Sequence, residues 1–93
     1  MTDSDSYDLA VAPPARRAIA EELPEAVAAA VIDFITSALI ANPQRVGKPL
    51  RDDLAGVWSA RRGTYRVLYR IHETKHEVLV LRIDHRRAAY RQL

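Results

Sequence analysis

Residues Gly56 to Ile71 read GVWSARRGTYRVLYRI, and the alternation in this stretch decides the fold. A first run from Gly56 to Arg61 reaches a Gly-containing turn near Arg62-Gly63. A second run, Thr64 to Ile71, is rich in β-branched and aromatic residues. In the second run Tyr65, Val67, Tyr69 and Ile71 fall on one face, and Thr64, Arg66, Leu68 and Arg70 on the other. The stretch is therefore expected to be a β-hairpin with one apolar face and one guanidinium-bearing face. The apolar face needs a cover of helices. The other needs an anionic partner.

The flanking sequence supplies the cover. Tyr7 to Ala12 alternates Tyr, Leu and Val on one face and reads as a first strand, after a frayed tail at residues 1–6. Pro13 and Pro14 stop it and suit the first turn of a helix running to about Leu23, with Ala15, Ile19 and Leu23 on one stripe. Pro24 opens a second, almost wholly apolar helix expected to run to about Ala41, where Asn42-Pro43 ends it. Asn42 to Ala55 (NPQRVGKPLRDDLA) holds too many breakers for a regular element and reads as a loop pinned by Leu50 and Leu54. After the hairpin, a turn around His72 to Lys75 leads to a last strand, His76 to Asp84. Simple alternation there sets Leu79, Leu81 and Ile83 against Val78, Val80 and Arg82. The tail HRRAAYRQL is expected to form a short helical turn. The order β-α-α-β-β-β predicts one α+β domain over residues 1–93. A helical hairpin covers one face of a small, largely antiparallel four-stranded sheet.

Composition narrows the function. Nearly half of the 93 residues are hydrophobic, enough for a real core. The chain has no cysteine, which excludes disulfides and thiolate metal sites. The acidic start MTDSDSYD is unlike a signal peptide, and no apolar run is long enough to span a membrane, so the expected location is cytoplasmic, with no membrane partner. Charge is strongly asymmetric: residues 1–43 hold two basic and seven acidic side chains, residues 44–93 twelve basic and five acidic. Ten of those twelve are Arg, a choice that fits bidentate contact with phosphate.

The chemistry available is correspondingly restricted. His72, His76 and His85 have no metal-ligand spacing, and Gly47, Gly56 and Gly63 are isolated, so neither a metal nor a bound cofactor is expected. Arginine remains, with tyrosine and histidine. Arg61 and Arg66 fall near the turned end of the hairpin, and Arg66, Arg70 and Arg82 are expected to point away from the helices. Such a set can cleave RNA without metal. The 2′-hydroxyl is the nucleophile, and the protein need supply only a base, an acid and cations for the developing charge. A charged strand face can equally serve to block aggregation. Tyr65 and Tyr69 read first as core, and Trp58 as either a core-edge residue or a base-stacking one.

Three linked motifs carry a family resemblance: NPxRxGKPL from Asn42, LxGxWSxRxGxYRVxYRI from Leu54, and LRIDHRRAAYR from Leu81. Together they resemble the RelE/ParE superfamily of type II toxins, most of all its RelE-like branch, over about Tyr7 to Arg91. The resemblance implies a toxin that enters the ribosomal A site and cuts mRNA. It implies a cognate antitoxin of the RelB or Phd kind, encoded beside the toxin, which contacts operator DNA on the complex's behalf. On matching positions, Arg66 is implied as a phosphate or transition-state ligand and Tyr90 as an aromatic that stacks on a base or assists proton transfer. Arg61, His85 and Arg86 match other basic residues of the catalytic site. Arg45, Lys48, Arg51, Arg62, Arg70, Arg82 and Arg87 are implied as RNA-binding cations. One departure stands out: Val57 and Ser59 occupy positions where some RelE nucleases carry lysine, which leaves His85 or the arginines to take the base's part. The same fold also hosts ParE-like inhibitors of DNA gyrase, and a toxin without catalysis would remain an antitoxin- or RNA-binding module.

Overall fold

The computed structural model describes residues 6–85. Its elements are β1 (Asp8–Val11), α1 (Pro13–Arg17) continued by a π-helical turn (Ala18–Glu22), α2 (Glu25–Ile35), α3 (Ala38–Ala41), α4 (Pro43–Val46), β2 (Lys48–Pro49), a 3₁₀ turn (Asp52–Leu54), β3 (Trp58–Arg62), β4 (Tyr65–His72) and β5 (Glu77–His85). The strands form one sheet in the order β1-β5-β4-β3-β2. β1 runs parallel to β5, and the other neighbours are antiparallel. The hairpin closes through Gly63, whose φ of +54° is the left-handed geometry that tight hairpin turns require.

The α+β architecture is the expected one, with two differences in its elements. The sheet has five strands instead of four, because Lys48–Pro49 pairs with Ser59 and Trp58 inside the stretch read as a loop. The breakers in that stretch divide it into α4, β2 and the 3₁₀ turn, so it is short regular pieces throughout. Leu50 donates its N–H to the Val57 carbonyl at 2.8 Å, whereas the Leu54 side chain is 53% exposed and lies outside the core.

The long second helix is also interrupted. Thr36 Oγ1 donates to the Ile32 carbonyl at 2.7 Å, and Ser37 Oγ donates to the Asp33 carbonyl. Hydroxyls bonded back to the preceding turn compete with the backbone ladder and bend helices. Ser37 leaves helical geometry at φ −130°, ψ −83°, and α3 starts afresh after it. The first helix instead widens at its exit, through an i→i+5 bond from Leu23 N–H to the Ala18 carbonyl at 2.9 Å.

The core lies between the helices and one sheet face. Ala15, Val31, Phe34, Ile35 and Leu39 pack there with Val67, Tyr69, Val78, Val80 and Ile83. Each buried Val, Leu or Ile contributes about 1.5–3 kcal/mol, so this layer dominates the stabilising side of folding. In β4 burial alternates as the hairpin reading expects, with Tyr65, Val67 and Tyr69 buried and Arg66 and Arg70 exposed. In β5 simple alternation fails. Leu68 pairs with Arg82 while Tyr69 pairs with Val80, so Leu81 is an extra residue in a β-bulge. The bulge reverses the phase: Val78 and Val80 face the helices, and so do Ile83 and His85 beyond it.

Candidate functional site

The register assembles the site. Arg61 and Arg66 are direct cross-strand partners, Arg66 faces Asp84 on its other side, and Leu68 faces Arg82. Partners across an antiparallel ladder share a face, so Arg61, Arg66, Arg82 and Asp84 stand together on the open face, at the hairpin end. Two like charges directly opposite repel, and the Arg61–Arg66 pair is tolerated because both side chains are exposed. Such a pair is a preformed demand for an anion. Farther along the open face lie Lys48, opposite Ser59, and Arg70, opposite Leu79. The same face carries Asp8 and Glu77, paired with each other, at the end remote from the hairpin turn.

An open depression of about 880 Å³ wraps over the hairpin end. Its basic lining is Arg61, Arg66 and Arg82 from the sheet and Arg17 from α1, and Leu54, Val57, Leu68 and Leu81 give it an apolar floor. His85 also lines it, from the helix side: it pairs with Tyr65, whose side chain is core, and is 9% exposed. Arg82 Nε donates to Asp84 Oδ1 at 2.8 Å, with the two side chains 61% and 39% exposed.

Beneath this surface the tyrosines are structural. Tyr69 is fully buried and its hydroxyl donates to the Pro43 carbonyl at 2.7 Å. Burial pushes the phenol up to about 12, against a smaller downward pull from the Arg62 charge. Gly47 makes this bond possible, since a Cβ there would collide with the Tyr69 hydroxyl. Tyr65 donates to the Ala30 carbonyl at 3.4 Å, and its phenol is raised by burial, with Arg62 lowering and Asp33 raising it to smaller extents. Trp58 lies on the helix side too, stacked on Tyr69 with ring centroids 6.4 Å apart.

The residues singled out from sequence therefore separate into groups. Arg61, Arg66 and Arg82 converge. Lys48 and Arg70 share their face but line another part of it. Arg62 is on the helix side, its guanidinium 4.8 Å from the centre of the Phe34 ring, and there it extends the core's cover. Arg45 in α4 and Arg51 beside the 3₁₀ turn are exposed at the β2 edge, outside the depression. His85 does not share a face with Arg66: β5 runs on through it, and regular alternation from Arg82 puts it with Ile83 on the helix side. Arg86, Arg87 and Tyr90, with the expected C-terminal helical turn, lie outside the described residues. Sequence reading overlooked Arg17, the apolar floor and Asp84. The signal for Asp84 was present, since a residue two positions after Arg82 in a strand shares its face.

These features define a class: a small α+β protein with helices sealing one sheet face and an arginine cluster on the open one. Comparison with known proteins places the chain within it. The family model for the ParE toxin of the type II toxin–antitoxin system parDE matches residues 12–90. Toxin RelE of Mycobacterium tuberculosis is 46% identical over 91 residues, 98% of this chain and 93% of that protein. Toxin RelG of the same organism is 54% identical over 71 residues, 76% of this chain and 82% of that one. The toxin–antitoxin complex RelBE2 from M. tuberculosis contains a chain that superposes with a TM-score of 0.84 at 49% identity, covering 87% of this chain and 99% of that chain. The isolated E. coli RelE toxin shares the fold, with a TM-score of 0.69 at 16% identity over 95% of this chain and 100% of that one. The chain belongs to the RelE/ParE superfamily and is a type II toxin of the RelE family.

Proposed function

We propose that this toxin is a ribosome-dependent, metal-independent mRNA endonuclease of the cytoplasm. A cognate antitoxin encoded beside it neutralises it and carries the operator-DNA contacts of the pair. The observation that supports this reading most directly is the Arg61–Arg66 pair, two exposed guanidiniums fixed opposite each other with Arg82 on the same face. In the reaction the RNA 2′-hydroxyl attacks the adjacent phosphorus, the P–O5′ bond breaks, and a cyclic phosphate and a 5′-hydroxyl result. Arg66 and Arg61 hold the phosphate and stabilise the negative charge that builds on its non-bridging oxygens. His85, on the wall of the same depression, takes the 2′ proton as the general base. Arg86 assists at the phosphate, and Tyr90 stacks on a base or returns the proton to the leaving oxygen. Lys48, across the ladder from Ser59, restores a lysine to the open face near the positions occupied by Val57 and Ser59.

The antitoxin proposal draws support from the mycobacterial relative, whose structure is that of a toxin–antitoxin complex. A ParE-like action on DNA gyrase is the second reading, favoured by the family model that matches the chain.

One experiment separates them: expression of the toxin alone in a bacterial host, with 5′-end mapping of cellular mRNA. The expected result is cuts inside translated codons. Arg66→Ala should reduce them about 10²–10³-fold, the cost typical of removing one transition-state donor, while its melting curve stays that of the wild type. His85→Gln, checked for folding because the side chain is buried, should reduce cutting about 10²–10⁴-fold, the share of one proton-transfer group. Growth arrest with intact mRNA and inhibited gyrase overturns the nuclease reading.

A further inference from the structure

Among the described strand residues, the hairpin end of the open face presents Arg61, Arg66 and Arg82 with one carboxylate among them, that of Asp84; Glu22 lines the same depression from the first helix, and the strands' other open-face carboxylates, Asp8 and Glu77, sit at the opposite end. Asp84 occupies a specific place. Its Oδ1 takes the Nε proton of Arg82 at 2.8 Å, and its Cα partner across the ladder is Arg66. It therefore stands where an RNA phosphate bound by both arginines would place its charge.

We infer that Asp84 is an internal counter-ion of this site, holding it partly neutralised so that phosphate engages Arg82 only in competition with the carboxylate. The inference rests on the proposal that this face receives RNA. Two considerations fix its sign. Both side chains are substantially exposed, so the ion pair itself orders Arg82 weakly. The repulsion of an incoming phosphate by a unit charge a few ångströms away is present in every encounter. Asp84 therefore lowers affinity for RNA as such, and selects for substrate that is presented and held by further contacts.

The test is binding of a fluorescently labelled single-stranded oligoribonucleotide to the full chain, over a series of salt concentrations. Asp84→Asn keeps size and shape and removes the charge. It should tighten binding about threefold at low salt, the factor that one charge at roughly 6 Å exerts through water. Its plot of log affinity against log salt should steepen by about 0.7, one further counter-ion released from a single strand. Asp8→Asn, at the far end of the face, should change neither quantity. With Arg82→Ala in the background, the gain from Asp84→Asn should shrink.

Unchanged or weaker binding by Asp84→Asn overturns the inference and makes Asp84 a positioning residue for Arg82. An equal gain from Asp8→Asn overturns it in favour of net charge alone, and failure of both wild type and Asp84→Asn to bind RNA overturns it outright. Cleavage of mRNA on ribosomes is scored separately, so a toxin that binds as expected and never cuts removes the nuclease reading and leaves this one standing.

Discussion

Tyr69 shows how one residue ties the motifs of this chain together. Its ring fills the core, its hydroxyl bonds the Pro43 carbonyl, and Gly47 gives that hydroxyl room. The NPxRxGKPL motif is thus partly a socket for the second tyrosine of GTYRVLYR. The raised phenol gives a signed expectation for stability. The folded protein holds the proton to about 12, while an unfolded tyrosine loses it near 10. The stabilisation, about 2–3 kcal/mol, is complete below pH ~10 and is lost as pH rises toward 12. Tyr69→Phe removes the titration and also the hydrogen bond, at about 1 kcal/mol near neutrality. Urea unfolding should therefore show the variant less stable than wild type at pH 8, with the gap closing by pH 11. A gap of constant size would mean that Tyr69 is not the group responsible.

At the scale of elements, β4 was fully legible and β5 was not. Alternation read across Tyr65 to Ile71 gives the buried and exposed faces correctly, because the ladder there is regular from Trp58↔Tyr69 to Arg62↔Tyr65. In β5 the same rule assigns Val78 and Val80 to the wrong side, since an unpaired Leu81 interrupts the period. Nothing in a run of Val, Leu and Ile marks which residue will bulge, for every candidate is apolar and β-prone. The break in the second helix is a subtler case. Thr36-Ser37 carries a signal, hydroxyls able to bond back to Ile32 and Asp33, yet the apolar pattern continues through it to Ile40. Among site residues, the convergence of Arg61 with Arg66 followed from hairpin geometry. The position of His85 did not, because the last strand was expected to end at Asp84, whereas β5 continues through His85 opposite Tyr65. Deletion of Leu81 tests this account. Without the extra residue, strict alternation would put Val78, Val80, Ile83 and His85 on one face and Arg82 and Asp84 on the other, as observed. The deletion variant should fold cooperatively, with a denaturant m-value near that of the wild type. Deletion of Leu79, in the regular part of the strand, shifts the register of Val78 and should unfold the protein. Equal damage from the two deletions would show that the bulge has a role beyond phase.

Across the whole molecule, charge is graded along the sheet as well as along the chain. The hairpin end gathers four arginines, Arg17, Arg61, Arg66 and Arg82, against two carboxylates, Glu22 and Asp84, around one depression. The remote end is held by a different chemistry. Tyr7 donates to Glu73 at 2.9 Å and stacks on His76 with ring centroids 3.8 Å apart, and Gln44 donates to Tyr7 and Glu73. Asp8 and Glu77 add carboxylates there. A polyanion approaching such a field is turned toward the hairpin end before any specific contact forms. On the proposed reading that this face receives RNA, the gradient makes position, more than the net charge of +2, the determinant of binding. Each phosphate contact on a single strand contributes about 0.7 to the slope of log affinity against log salt. Arg66→Ala, Arg61→Ala and Arg82→Ala should therefore each flatten the slope by about that amount when RNA binding is followed between low and physiological salt. Lys75→Ala, in the turn between β4 and β5 at the remote end, removes the same formal charge and should leave the slope unchanged. If Lys75→Ala flattened it as much as the arginine variants, RNA would be responding to total charge alone, and the arginine cluster would lose its claim to be the binding surface.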